Sequence, residues 1–162
     1  MPQTKGYSRT QIRLHWVIAG LIVFQLIFGE DMGRAWLAVE NGTVPEMGIL
    51  VWAHIVVGIA VLVLAVWRIY IKVTRGVPAA PPSAPWMETA AKIGHLALYA
   101  VMILAPMSGL AAWYGGIAAA AVVHELFKPA LILLILGHIG AALYHHFVKK
   151  DGLLLRMKTP QD

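Results

Sequence analysis

Cysteine is missing altogether from the 162 residues, which excludes disulfides, cysteinyl iron–sulfur clusters and covalent c-type haem attachment. Any redox chemistry therefore needs a noncovalently held cofactor. Charge is scarce as well: 13% of the residues are charged and 59% are hydrophobic, against about 25% and about 45–50% in soluble domains. That imbalance points to lipid as the solvent, and to membrane lipid as the first partner. The formal charge is +5, yet the basic residues sit between apolar runs and form no continuous face, so nucleic acid is not an expected partner. At roughly 20 residues per crossing, the length accommodates a handful of helices and no separate soluble domain. One membrane-embedded domain over residues 1–162 is expected.

Four apolar runs cover residues 14–28, 49–71, 93–114 and about 117–148, the last interrupted by His124-Glu125 and Lys128-Pro129. They predict an all-α, four-helix transmembrane bundle with both termini on one side. Ser8 followed by Gln11 is a capping box, so the first helix is expected to begin near Ser8 and to continue beyond Phe28. Basic residues ahead of that run resemble a signal peptide, but no small-x-small cleavage site follows Phe28, and the segment is expected to stay. The proline-rich connection over residues 74–86 reads as a stiff, extended linker. Pro106 is expected to kink the third helix. Eleven of the 13 Lys and Arg residues fall on the terminal side, which makes both termini cytoplasmic. Only Arg34 and Lys128 lie opposite, against Glu30, Asp31, Glu40, Glu46 and Glu125, a net outer charge of −3.

All seven histidines lie in or at the edge of these runs, where ionisable groups are functional suspects. A single one could merely bridge two helices by a hydrogen bond; seven call for another explanation. His124 and His138 are 14 residues apart, which is roughly 1400° of helix, about 40° short of four turns, and about 21 Å of rise. Both therefore face one bundle interior at different depths, a spacing that suits two stacked cofactors. His54 lies near the outer start of the second run and His15 near the inner start of the first, so each leaflet receives two candidate ligands. Two neutral imidazoles filling both axial positions of a haem iron suit outer-sphere electron transfer. Gly20, Gly58, Gly137 and Gly140 would let a flat macrocycle approach the backbone, or equally let helices pack closely. Transported zinc would want several ligands converging at one depth, often with carboxylates or thiolates, and the carboxylates here are peripheral.

Distributed marks carry a family resemblance: Tyr7-Ser8-Arg9 then His15-Trp16, Ala53-His54 with Gly58, Val66-Trp67-Arg68, Gly94-His95-Leu96 with Tyr99, His124-Glu125, His138, His145-His146 and the closing Asp151-Gly152-Leu153-Leu154-Leu155-Arg156-Met157. In this order and spacing the chain resembles the bacterial cytochrome b561 family over nearly its whole length. The resemblance implies a multi-pass protein of the bacterial cytoplasmic (inner) membrane with two noncovalent haem b groups, the inner one held by His15 and His138 and the outer one by His54 and His124. It also implies electron exchange with quinone. One kind of relative oxidises superoxide at the outer face and reduces ubiquinone. This chain departs from that kind in having only a few residues around Tyr114-Gly115-Gly116 between the third and fourth helices. Its acidic outer face also disfavours an anionic substrate and makes a cationic redox protein the rival donor.

Arg68 follows His54 by 14 residues and could meet a propionate of the inner haem or act as a positive-inside anchor. Arg9 invites the same choice. His145 stays on the interior face near the cytoplasmic edge and is the quinone-contact candidate, with His95 either sharing that site or bridging helices. By depth alone His15 could also meet His145. The rival functions are a haem-b subunit of a larger membrane dehydrogenase or hydrogenase, and a non-redox metal transporter.

Overall fold

The computed structural model describes residues 3–4 and 6–160; Lys5 and Asp162, counted in the charge balance, lie outside the described residues. The order is β1 (Gln3–Thr4), α1 (Arg9–Phe28), α2 (Glu30–Glu40), α3 (Ile49–Arg75), β2 (Val77–Pro78), α4 (Pro85–Gly115) and α5 (Ala118–Tyr144), followed by a π-helical turn, His145–Lys149, and a 3-10 turn, Leu153–Met157. Four helices are long and apolar enough to cross a bilayer: α1, α3, α4, and α5 with its π turn. Even the shortest, α1 with 20 residues, spans about 30 Å, the thickness of a hydrocarbon core. Large side chains such as Val63, Leu133 and Leu136 stand more than half exposed on the bundle surface. Lipid covers such faces at no cost, whereas water would not.

The expected capping box is present at α1. The Ser8 hydroxyl accepts from the Gln11 backbone N–H at 3.3 Å, and the Gln11 side-chain oxygen accepts from the Ser8 N–H at 2.9 Å. Buried Gln11 also donates to the Gly76 carbonyl at 2.9 Å, while its own carbonyl accepts from Arg68 at 2.6 Å. The start of α1 is thereby tied to the end of α3, and β1 pairs in parallel with β2 beside that junction. Ile18, Ile22 and Val61 form the buried centre of the α1–α3 contact, with Met102 and Leu131 packed on it from α4 and α5. α1 packs on α3, and α4 packs on both α3 and α5.

Two expectations need correction. The first crossing ends at Phe28 rather than continuing: at Gly29 an added Cβ would lie 2.9 Å from the Gln25 carbonyl, and the chain turns there into the short amphipathic α2. The last crossing is one helix, as expected, and carries His124-Glu125 and Lys128-Pro129 within it. α4 starts at Pro85, well ahead of its apolar run, because proline suits a first helical position, so the linker is shorter than read. Pro106 lies inside α4. The turn between α4 and α5 is as tight as expected, with Gly116 in the left-handed conformation at φ 65°. At the terminal end, Trp16 donates to the Met157 carbonyl at 2.9 Å. Lys149 and Arg156 donate to Ser83 and to the Ala79 carbonyl at 2.8 and 2.7 Å, pinning the proline-rich linker.

Candidate functional site

Two groups of histidines face one another inside the bundle. Away from the termini, His54 of α3 meets His124 of α5 with ring centres 6.0 Å apart. The His124 Nδ1 lies 2.7 Å from the Ala105 carbonyl, with the Ser108 hydroxyl at 3.3 Å. A carbonyl only accepts, so Nδ1 carries the proton and the Nε2 lone pair is free. Gly109 makes the ring's position feasible, since a Cβ there would come within 3.0 Å of Cε1 and 3.1 Å of Nδ1 of His124. A cavity of about 380 Å³ opens around the pair, within the size range of small-molecule sites. Its walls include Ile22, Leu26, Met102 and Leu131, with Gly58 among the backbone surfaces and Met32 and Trp36 of α2 closing one side. Trp36 leans on Trp113 at 6.5 Å. Glu30, Glu125 and Lys128 also line it.

Toward the termini, His15 of α1 meets His138 of α5 at 6.1 Å, and His95 of α4 meets His138 at 5.3 Å. His95 donates its Nδ1–H to the Ala91 carbonyl at 2.6 Å. The structure thus brings His15, His138 and His95 together, and His54 with His124. It turns His145 elsewhere, to Asp151, with Nδ1 and Oδ2 2.5 Å apart. Desolvation pushes the Asp151 carboxyl up, but hydrogen bonds from His145 and the Leu153 N–H, with the nearby charges of His145 and Lys149, outweigh it and hold the group below its ordinary range. Burial pushes the Tyr7 phenol up, against the opposing charges of Arg68 and Arg156. Arg68 reaches the Gln11 carbonyl, and Arg9 occupies the first position of α1. Gly20, Gly137 and Gly140 have no side chain or neighbouring backbone within 4 Å of an added Cβ, so close helix packing does not account for them.

Two imidazoles bonded at about 2 Å to opposite sides of one metal place their ring centres on the order of 6 Å apart, the separation found in both facing pairs. With neutral nitrogen donors, a freed Nε2 and an apolar cavity, these residues fit a b-type haem. Among the described residues, no three His, Cys, Asp or Glu side chains are grouped to hold a bare metal ion. Sequence reasoning did not single out Gln25, Ala105, Ser108 or Gly109. Gln25 was visible as a lone amide in an apolar run, whereas a backbone carbonyl leaves no mark in a sequence.

The family described as prokaryotic cytochrome b561 matches residues 6–160. Cytochrome b562 of Cereibacter sphaeroides is 47% identical, with 99% of this chain and all of that protein covered. Cytochrome b561 homolog 1 of Escherichia coli is 30% identical over 93% of this chain and 96% of its own length. A Yersinia pestis protein named probable superoxide oxidase CybB is 28% identical over 94% and 96%. The chain belongs to the prokaryotic cytochrome b561 family and is an integral bacterial membrane protein that transfers electrons on b-type haem.

Proposed function

We propose that the chain is a dihaem cytochrome, a single domain with both termini in the cytoplasm, that passes electrons between a donor at the outer face and quinone in the membrane. The observation that carries this reading is the pair of facing imidazole sets, 6.0 and 6.1 Å across, both built on α5. Their α5 members, 14 residues apart, are separated by about 21 Å of helix rise. His54 and His124 hold the outer haem, and His15 and His138 the inner one. Bound there, haem b would supply a one-electron redox centre at each depth. The Ala105 carbonyl orients His124 and keeps its Nε2 unprotonated. Arg68, near the end of α3, adds positive charge at the inner rim, and Arg9 stands at the start of α1. His145 and Asp151 meet at 2.5 Å at the inner interface, where a quinone being reduced must take up protons, which supports His145 as the quinone contact. His95, set against His138, is the second residue of that site.

For the outer donor, a cationic redox protein is favoured by the acidic face and by the ion pair of Arg34 with Asp31, which leaves less unpaired positive charge to draw in an anion. Superoxide is the second reading, supported by Lys128 at the cavity wall and by the relative named as a superoxide oxidase. Haem counts and spectra of single-histidine variants test the pairing. His54→Ala and His124→Ala are expected to damage one and the same haem and to leave the other intact. Loss of different haems in these two variants would defeat the assignment. Quinone turnover by the isolated protein separates an independent enzyme from a subunit of a larger dehydrogenase or hydrogenase, which would lose that turnover alone.

A further inference from the structure

Among the described residues, the buried side-chain polar atoms lacking a hydrogen-bond partner are Gln25 Oε1 and His54 Nδ1. They are complementary. An amide oxygen only accepts, and an imidazole that commits Nε2 to a metal carries its proton on Nδ1 and must donate there. Leaving either unpaired in a sealed interior is costly. The Gln25 side chain is already tied to the His54 backbone, its Nε2 donating to the His54 carbonyl at 2.8 Å. Gly58 leaves room for that amide, because a Cβ there would stand 3.2 Å from Nε2. Gly29, one turn after Gln25, sets the ring beside the same stretch of α1, its added Cβ falling 3.8 Å from His54 Nδ1. The facing ring has no such deficit, its Nδ1–H being taken by the Ala105 carbonyl.

We propose that Gln25 is the positioning residue of His54, its amide oxygen accepting the Nδ1 proton through one buried water that closes the gap between the two atoms. This rests on the reading of His54 as an axial ligand through Nε2. Two fixed polar partners meet the minimum for an ordered buried water, and both atoms belong to residues lining the cavity. The ligand opposite is oriented by rigid backbone, whereas His54 is oriented by a side chain. An acceptor on the far nitrogen makes an imidazole a stronger donor to its metal and so favours the oxidised iron. Gln25 therefore lowers the potential of the outer haem.

The test uses the full-length protein, purified with its haems and titrated potentiometrically, with proton NMR of the oxidised form to follow the slowly exchanging His54 ring proton. Gln25→Leu is expected to keep two haems, raise the midpoint potential of the outer one and speed exchange of that proton. Gln25→Glu, nearly isosteric, is expected to lower the same potential and keep the proton protected. Opposite shifts are not the mark of a merely structural side chain. An unchanged or lowered potential in Gln25→Leu overturns the proposal, as does an unchanged potential in Gln25→Glu, which carries the test alone if the leucine variant does not fold. His54→Ala distinguishes the two failures: if it retains two six-coordinate haems, the ligand assignment is what falls.

Discussion

Gly109→Ala perturbs the site by a single methyl group. The new Cβ would stand 3.0 and 3.1 Å from Cε1 and Nδ1 of His124, on the same edge of the ring that the Ala105 carbonyl, one turn earlier on α4, holds at 2.7 Å. The ring can yield only by giving up that bond. Overpacking of this kind costs about 1–3 kcal/mol. The strain falls on the haem-bound form, because without haem the ring is free to swing away. At about 1.4 kcal/mol per tenfold, affinity for the outer haem should fall by roughly 5- to 150-fold. Helix propensity acts the other way on folding, since alanine is favoured over glycine inside a helix by about 1 kcal/mol, so the bundle should still assemble. Haem titration of the apoprotein, with thermal unfolding measured alongside, reads both effects. Unchanged affinity at both haems would refute the placement of the His124 ring beside Gly109.

Further expectations concern the remaining residues. His138→Ala should lose or open one haem, whereas His145→Ala should keep both six-coordinate and mainly impair quinone reduction; the reverse outcome in spectra and haem counts removes His145 from the quinone site. Reduction by a cationic donor protein should slow as ionic strength rises, because screening weakens steering, and superoxide-driven quinone reduction that falls steeply with salt would instead favour superoxide. The Asp151 carboxyl is held below its ordinary value of 3.8, so its contribution is complete above that pH and is lost as pH falls through the lower, folded-state value. Trp16, bonded to the Met157 carbonyl, should report the loosening of the C-terminal turn by its fluorescence below pH 3.8. Asp151→Asn should abolish that transition, and a transition unaffected by the substitution would assign it to another group.

The four crossings were legible because each needs a long apolar run, and a run of that length has few other uses. Their ends were not. The segment from Pro85 to Lys92 is helical, yet Glu88, Thr89 and Lys92 keep it out of the apolar run, and Pro129 reads as a break in water-soluble helices but is tolerated in a membrane helix. α2 was hidden by its length of 11 residues, although Met32, Ala35 and Trp36 repeat at helical spacing and face the bundle. Around the cavity, the spacing of His124 and His138 announced two depths, and the rings do approach partners at both. The contacts of Arg68 and His145 were beyond reach, because the Gln11 carbonyl and the Asp151 carboxylate are tertiary partners that periodicity does not address. Gly58 was singled out as a place where a macrocycle or a neighbouring helix approaches, and it is where the Gln25 amide comes through.

The account turns on two bis-histidine haems in one chain. Haem per polypeptide, measured on the detergent-purified protein together with its reduced-minus-oxidised spectrum before and after carbon monoxide, tests that directly. The account predicts two noncovalent haems per chain, each six-coordinate in both redox states and unreactive to carbon monoxide; one haem per chain, or rapid carbon monoxide binding to the fully reduced protein, would contradict it.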